Sequence, residues 1–146
     1  MPTHFMSDAA GQSYRRKADA AGWRALDNPE AAFDLLRPFF RDRSREHVCA
    51  LFLNAEGQPC AMGTWAGEQG FVDLPLRQVF ASGLAADAAA MIIAHNHPSG
   101  DPTPGPEDLR TTRDLARIGA MLGIRLVDHL VIAGERLTSM RAMRLI

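Results

Sequence analysis

The stretch IIAHNHPSGDPTPGPEDLRTTRDL, residues 92–115, decides the fold of this chain. Its first four residues, with the two residues before them, form AMIIAH (90–95), an apolar run typical of a strand buried on both faces. The segment after the strand is stiff, because three prolines restrict it and two glycines allow tight turns. Pro106 then suits the first position of a helix. The stretch therefore predicts a strand, a rigid loop and a helix in succession.

Three side chains of this stretch can meet at one point. His95 and His97 face the same side if the segment stays extended, because strand side chains repeat every two residues. Asp108 falls in the first helical turn, which the stiff loop can hold close to the end of the strand. Two imidazoles and one carboxylate leave one coordination position open, which is the pattern of a catalytic zinc site.

Each part of this pattern also has a simpler interpretation. Two histidines one residue apart arise by chance in a chain with five histidines. An aspartate at a helix start commonly complements the helix dipole without binding a metal. The complete order of strand, HxHP, stiff loop and helical aspartate is more specific than any of its parts, and it favours the metal site.

The other segments predict an α/β domain. A helix begins at Asn28-Pro29-Glu30 and is kinked or ended by Pro38. The strand HVCALFLN (47–54) returns through the turn NAEG as PCAMGTWAG (59–67). Further expected elements are a short strand near Phe71-Val72, a helix from Pro75, a helix end at Gly123, the strand RLVDHLVIA (125–133) and a closing turn in LTSMRAMRLI (137–146). Because a hairpin precedes the crossovers, we expect a mixed β-sheet with flanking helices.

Composition narrows the function classes. The chain has 146 residues, which suits one domain, and residues 1–26 are polar and aperiodic, so we expect a mobile N-terminal arm before a domain at 27–146. A net charge of −1 gives no support to nucleic-acid binding. The two cysteines, Cys49 and Cys60, are expected to be buried reduced thiols. No signal peptide or membrane span is predicted, so the expected location is the cytoplasm.

The segment HNHPSGDPTPGPED resembles the signature of RadC-type proteins. These belong to the JAB/MPN group, which carries the JAMM zinc-hydrolase motif, and the resemblance extends through REHVCALFLN and LVDHLVIAG. It implies a three-layer, cytidine-deaminase-like JAB/MPN fold and Zn²⁺ held by His95, His97 and Asp108. It also implies hydrolysis of an amide or isopeptide bond in a peptide or protein. Glu46 matches the motif's upstream glutamate, whose implied role is to take a proton from the attacking water and pass it to the leaving amine.

One position departs from the motif. Gly105 stands where JAMM proteins have a serine that helps to stabilise the oxyanion. Loss of such a donor typically slows catalysis by about 10²–10³-fold. Thr103, Ser99 or a backbone N–H are other candidates for this donor. The departure keeps two alternatives open, a zinc-binding scaffold and a DNA-repair-associated module with little hydrolytic activity. RadC-type proteins also carry a longer N-terminal helical region than this chain can hold.

Asp128 and His129 place two polar residues inside an apolar strand, and the RadC family has a similar pair. Side chains alternate across a strand, so at most one of the two faces a given side. Two interpretations follow. In the first, both residues are polar groups with partners in the core or at the strand end. In the second, one of the two supports a metal ligand.

Overall fold

A computed structural model describes residues 28–66 and 74–146 of the chain. Within these ranges the elements in chain order are α1 (Pro29–Leu36) continued by a 3₁₀ turn (Arg37–Phe40), β1 (His47–Leu53), β2 (Pro59–Ala66), α2 (Leu76–Ala85), β3 (Ala90–Asn96), α3 (Pro106–Leu122), β4 (Arg125–Ala133) and β5 (Arg136–Ser139). The expected N-terminal arm and the expected short strand near Phe71-Val72 lie outside the described residues. None of the described helices has the length and hydropathy needed to cross a membrane.

The strands form one mixed sheet in the order β2-β1-β3-β4-β5. β1 is antiparallel to both β2 and β3, as expected for a hairpin followed by a crossover. β3 and β4 are parallel, because α3 carries the chain back between them. The predicted mixed α/β sheet is therefore confirmed, and the metal motif lies at the end of its central strand.

Helices cover both faces of the sheet and make three layers. On the face that we call the α1 face, side chains of α1 pack on a cluster that includes Leu51, Ile92 and Leu130. On the opposite face, the α3 face, side chains of α2 and α3 pack on a cluster that includes Val48, Phe52 and Ile93. Burial of these two apolar layers supplies the main driving force for folding.

The C-terminal turn of α3 is tightly packed just before β4 begins. A Cβ built on Gly119 would meet the carbonyl oxygen of Ile124 at 2.2 Å, so only glycine allows this approach. Gly123 ends the helix with a φ of 72°, as its predicted position after the helix requires. The chain therefore turns tightly from α3 into β4, and the buried side chains of α3 pack the helix on the sheet.

The C-terminal segment differs from the expectation of a single closing turn. Arg136–Ser139 form a fifth strand, paired antiparallel with β4, before the turn begins. Gly134, with a φ of 63°, makes the tight reversal between the two strands. The strand has only four residues and three are polar, so its pattern is too short to separate from a turn. The expectation for the cysteines also needs a correction, since Cys49 is buried but Cys60 is only half-buried.

Candidate metal centre

His95 and His97 lie at the C-terminal end of β3 and just beyond it. His95 is buried and continues the side-chain row of Met91 and Ile93 on the α3 face. His97 N–H still donates to the Ile132 carbonyl of β4, at 2.8 Å, so the backbone stays extended past the last strand residue. The two rings consequently project to the same side, as the alternation of strand side chains predicted.

The loop after His97 fixes the orientation of its ring. Nδ1 of His97 lies 2.9 Å from the carbonyl oxygen of Asp101. A carbonyl can only accept, so Nδ1 must carry the hydrogen, and Nε2 of the neutral ring presents a lone pair. Gly100, with a φ of 86°, allows the turn that brings this carbonyl back to the ring. The Pro/Gly loop thus selects the nitrogen of His97 that a metal would use.

Asp108 is the third residue of α3 and turns its carboxylate towards both imidazoles. Its Oδ1 lies 3.1 Å from His95 Nε2, and its Oδ2 lies 3.2 Å from His97 Nε2. Oδ2 also accepts the N–H of Gly105 at 2.7 Å. Burial alone would raise the pKa of Asp108, but its contacts with His95 and His97 and the Gly105 N–H hold that pKa well below its usual range.

The donor set fits a tetrahedral metal ion. The two Nε2 atoms are 3.1 Å apart, and the three ligand groups of His95, His97 and Asp108 all lie within 4.8 Å of one another. Ligands of a tetrahedral zinc, with bonds of about 2.0–2.2 Å, are separated by about 3.3 Å. The side chains are 9%, 17% and 20% exposed respectively, so the cluster is accessible from solvent. This geometry is compatible with a metal ion that keeps one position for water or substrate.

Glu46 is half-buried and immediately precedes β1. Val48 lies opposite His95 in the antiparallel pair of β1 and β3. Continuing this register by two residues places Glu46 opposite His97, on the α3 face. The structure therefore brings the upstream glutamate to the edge of the sheet that carries the histidines.

Asn96 holds the backbone on both sides of Glu46. Its Oδ1 accepts the N–H of His47 at 2.7 Å, and its Nδ2 donates to the carbonyl of Arg45 at 2.8 Å. These are the two peptide groups that flank Glu46. The residue between the two histidines thus ties the glutamate's segment to the metal strand, although its own side chain points to the other face.

Gly105 precedes α3 with an extended backbone at φ −83°. A Cβ at this position would meet only Asp108 Oδ2, at 3.6 Å, so a serine fits there without a clash. The Gly105 N–H is already used by Asp108, and the Thr103 hydroxyl donates to Asp101 Oδ1 at 2.7 Å. Ser99 Oγ accepts the Asp101 N–H at 3.3 Å. Two of the alternative oxyanion donors, the Gly105 N–H and the Thr103 hydroxyl, are therefore engaged elsewhere.

Asp128 and His129 point to opposite faces of the sheet. Met91 lies opposite Leu126, but the next residue, Ile92, lies opposite Asp128, so β4 contains one extra residue at Val127. This bulge shifts the alternation of β4 and turns His129 to the α3 face. There His129 Nε2 lies 2.7 Å from His95 Nδ1, and burial, followed by the nearby charge of His95, lowers the pKa of His129 to about 3.

Asp128 has a different environment. It accepts hydrogen bonds from the Ser139 hydroxyl at 2.6 Å, the His129 N–H at 2.7 Å and the Arg141 N–H at 3.0 Å. Its carboxylate therefore holds β5 and the C-terminal turn to β4. Of the pair in the DH sequence, only His129 contacts a proposed ligand.

Two residues of this site were missed in the sequence. The sequence pattern singled out neither Asn96 nor Thr112. Thr112 Oγ1 lies 2.7 Å from His129 Nδ1 and 2.6 Å from the Asp108 carbonyl. The available signal was spacing, because Thr112 is four residues after Asp108 and so lies on the same side of α3.

Comparison with known families agrees with this architecture. A family model of the RadC-like JAB domain matches residues 26–145. The chain therefore belongs to the RadC-like JAB family, and the mixed α/β fold of its described residues is that of a JAB/MPN-type domain. The predicted family resemblance is confirmed.

The similar curated proteins carry the name UPF0758 protein. One from Symbiobacterium thermophilum is 37% identical over 145 residues, which are 96% of this chain and 61% of the relative. Another from Desulforamulus reducens is 39% identical over 119 residues, covering 81% of this chain and 52% of the relative. A third from Carboxydothermus hydrogenoformans is 35% identical over 140 residues, 94% of this chain and 62% of the relative. The chain thus spans less than two thirds of the length of these relatives.

Proposed function

We propose that the chain is a zinc-dependent hydrolase of the JAMM type that cleaves an amide or isopeptide bond. The observation that carries the proposal is the convergence of three acceptor groups. Nε2 of His95 and Nε2 of His97 point towards each other and towards the Asp108 carboxylate, at 3.1–3.2 Å. Such an arrangement repels itself unless a cation or a proton lies between the groups.

The chemistry follows from the residues around this point. A bound zinc ion lowers the pKa of a water molecule and polarises a carbonyl group. Glu46, on the same side of the sheet edge as His97, accepts a proton from the attacking water and passes it to the leaving amine. Asn96 keeps Glu46 at this edge by bridging the peptide groups on both sides of it. Glu46 is not part of the ligand cluster, so the same ion binds without it.

The proposed substrate is a peptide or protein. An amide hydrolase of this type needs a carbonyl at the metal and an amine as the leaving group, which peptide and isopeptide bonds supply. The balanced charge of the chain gives no electrostatic reason to propose a nucleic acid. We propose the cytoplasm as the place of the reaction, in line with the two free cysteines.

A second candidate function is a zinc-binding scaffold, or a DNA-repair-associated module, with little hydrolytic activity. Gly105 is the observation that favours it. The motif serine is missing, and both the Gly105 N–H and the Thr103 hydroxyl already donate to carboxylates. In this alternative the metal stabilises the end of β3 and the start of α3, and the domain acts through its surface.

One experiment separates the two candidates. The protein is purified without chelator, its zinc content is measured by mass spectrometry, and it is incubated with a pool of peptides that includes isopeptide-linked lysines. New cleavage products are then identified by mass spectrometry. The hydrolase proposal expects about one zinc per chain and products that depend on zinc.

The matched control is Glu46→Gln, which keeps the size of the side chain and removes its basicity. Products formed equally by both proteins would come from a contaminating protease and would count against the proposal. Stoichiometric zinc without any product from the pool would favour the scaffold. Salt-dependent binding of a DNA duplex would favour the repair-associated module.

A further inference from the structure

We propose that Thr112 and His129 are positioning residues that direct Nε2 of His95 to the metal through a one-way chain of hydrogen bonds. This inference rests on the proposed zinc site and adds two residues to it. The chain runs from His95 Nδ1 to His129 Nε2, from His129 Nδ1 to Thr112 Oγ1, and from Thr112 Oγ1 to the Asp108 carbonyl. The three distances are 2.7 Å, 2.7 Å and 2.6 Å.

The last contact fixes the direction of the whole chain. The Asp108 carbonyl can only accept, so the Thr112 hydroxyl must donate its single hydrogen to it. Thr112 Oγ1 then accepts from His129 Nδ1, which leaves Nε2 of the neutral ring as an acceptor. That atom in turn accepts from His95 Nδ1. The opposite direction would leave two oxygen acceptors at 2.6 Å with no hydrogen between them, which is unfavourable.

The environment prevents water from replacing these contacts. Thr112 and His129 are each 2% exposed, so a ring flip or a rotated hydroxyl would leave buried polar atoms without partners. Met140 Sδ, 3.1 Å from Thr112 Oγ1, is a weak acceptor and competes little with the Asp108 carbonyl for the single hydroxyl hydrogen. The hydroxyl therefore has one satisfactory orientation, and His95 has one satisfactory ring state.

The arrangement links both ends of the ligand cluster. Thr112 donates to the backbone of Asp108, while His129 supports the ring of His95 on another strand. His97 obtains the same ring state independently, from the Asp101 carbonyl. Hydrogen-bond partners of metal-binding histidines typically change metal affinity by about 10–100-fold. A side chain without a hydroxyl at position 112 should therefore weaken zinc binding although it contacts no metal.

The test compares Thr112→Val with Thr112→Ser. Valine keeps the size and branching of threonine but lacks the hydroxyl, whereas serine keeps the hydroxyl and loses only a methyl group. Zinc affinity of the full chain is measured by competition with a chromophoric chelator, and melting temperatures of the metal-free proteins are recorded alongside. We expect a 10–100-fold loss of affinity for Thr112→Val and a change within about three-fold for Thr112→Ser. Equal affinities of the two variants would overturn the inference.

A second measurement uses the wild-type protein and needs no variant to fold. Nitrogen-15 NMR of the imidazole rings in the zinc-loaded chain reports which nitrogen carries the hydrogen. We expect hydrogen on Nδ1 of both His95 and His129, and hydrogen on Nε2 of His129 would contradict the chain. A wild-type protein that binds no zinc would overturn the proposed function and this inference together. Zinc binding with the wrong ring state would overturn the inference alone.

Discussion

Neighbouring polar residues at the end of β3 and in the middle of β4 lie on opposite faces of the sheet and have opposite roles. Asn96 and Asp128 do not join the ligand cluster, whereas His95 and His129 project to the α3 face. All four are buried, with exposed fractions between 2% and 7%. Burial of a polar side chain is therefore not what distinguishes the candidate site from the rest of this sheet.

The difference lies in how completely each group is paired. Asn96 bonds to two backbone groups, and the carboxylate of Asp128 accepts three hydrogen bonds. Both sets of contacts hold one chain segment to another. On the α3 face, the Nδ1 atoms of His95 and His97 are paired, but their Nε2 atoms and the Asp108 carboxylate converge with lone pairs directed at one point. Unsatisfied acceptor capacity, rather than polarity, marks the chemical site.

Removing a proposed ligand should have the largest effect on zinc binding. We expect His97→Ala to lose most of its zinc, because a histidine and a carboxylate alone rarely hold zinc against competing chelators. Zinc is measured per chain after gel filtration. Asn96→Ala is the matched control from the other face and should keep its zinc while it loses stability. Unchanged zinc in His97→Ala would remove the basis for the metal site.

Glu46→Gln should show whether Glu46 acts as a metal ligand or as a base. The register of β1 against β3, continued by two residues, places Glu46 opposite His97, and Glu46 is outside the ligand cluster. We therefore expect full zinc content, an unchanged melting temperature and no hydrolysis of any substrate that the wild type cleaves. Zinc content and turnover are measured on the same preparation. Loss of zinc in this variant would make Glu46 a ligand and the proposed proton transfer wrong.

Asp128→Ala tests the role of a fully paired polar group outside the ligand cluster. Its carboxylate accepts from Ser139 and from two backbone N–H groups, so the variant leaves buried donors without partners. We expect the free energy of unfolding to fall by about 3 kcal/mol, because each such group typically costs about 1–3 kcal/mol. Denaturant unfolding with zinc present measures this change. The folded variant should still bind one zinc, and weaker zinc binding at unchanged stability would place Asp128 with the site instead.

Gly105→Ser has the smallest expected effect. If an oxyanion donor is missing, kcat on a cleavable substrate should rise ten-fold or more, since one well-placed donor contributes about 3–4 kcal/mol at the upper end. The serine should also raise the free energy of unfolding by a few tenths of a kcal/mol, as an N-cap.

The two effects of this substitution are separable. Thermal unfolding reports the cap, and steady-state kinetics report the donor. A variant that melts higher without faster turnover would mean that another group already serves the oxyanion or that the site does not hydrolyse. The double variant with Glu46→Gln distinguishes these outcomes, because only a hydrolase loses activity when the base is removed.

The convergence of His95, His97 and Asp108 and the mixed α/β class could be predicted because local rules govern them. His95 and His97 share a face through the two-residue period of a strand, and Asp108 is held nearby by a short, proline-rich loop. The hairpin, the buried central strand and the long helix follow from hydrophobic period and turn residues in the same way. Family resemblance pointed to Glu46, which local pattern alone would not have selected from the other glutamates.

Contacts between distant segments decided the rest. Asn96 reaches the peptides around Glu46 only because β1 pairs with β3, and Thr112 reaches His129 only because α3 packs on β4. The bulge at Val127 turns His129, rather than Asp128, towards His95. Regular alternation from Leu126 would have given the opposite result. A one-residue insertion in a sheet register leaves no local trace in the sequence, because its stability depends on how neighbouring strands and helices pack.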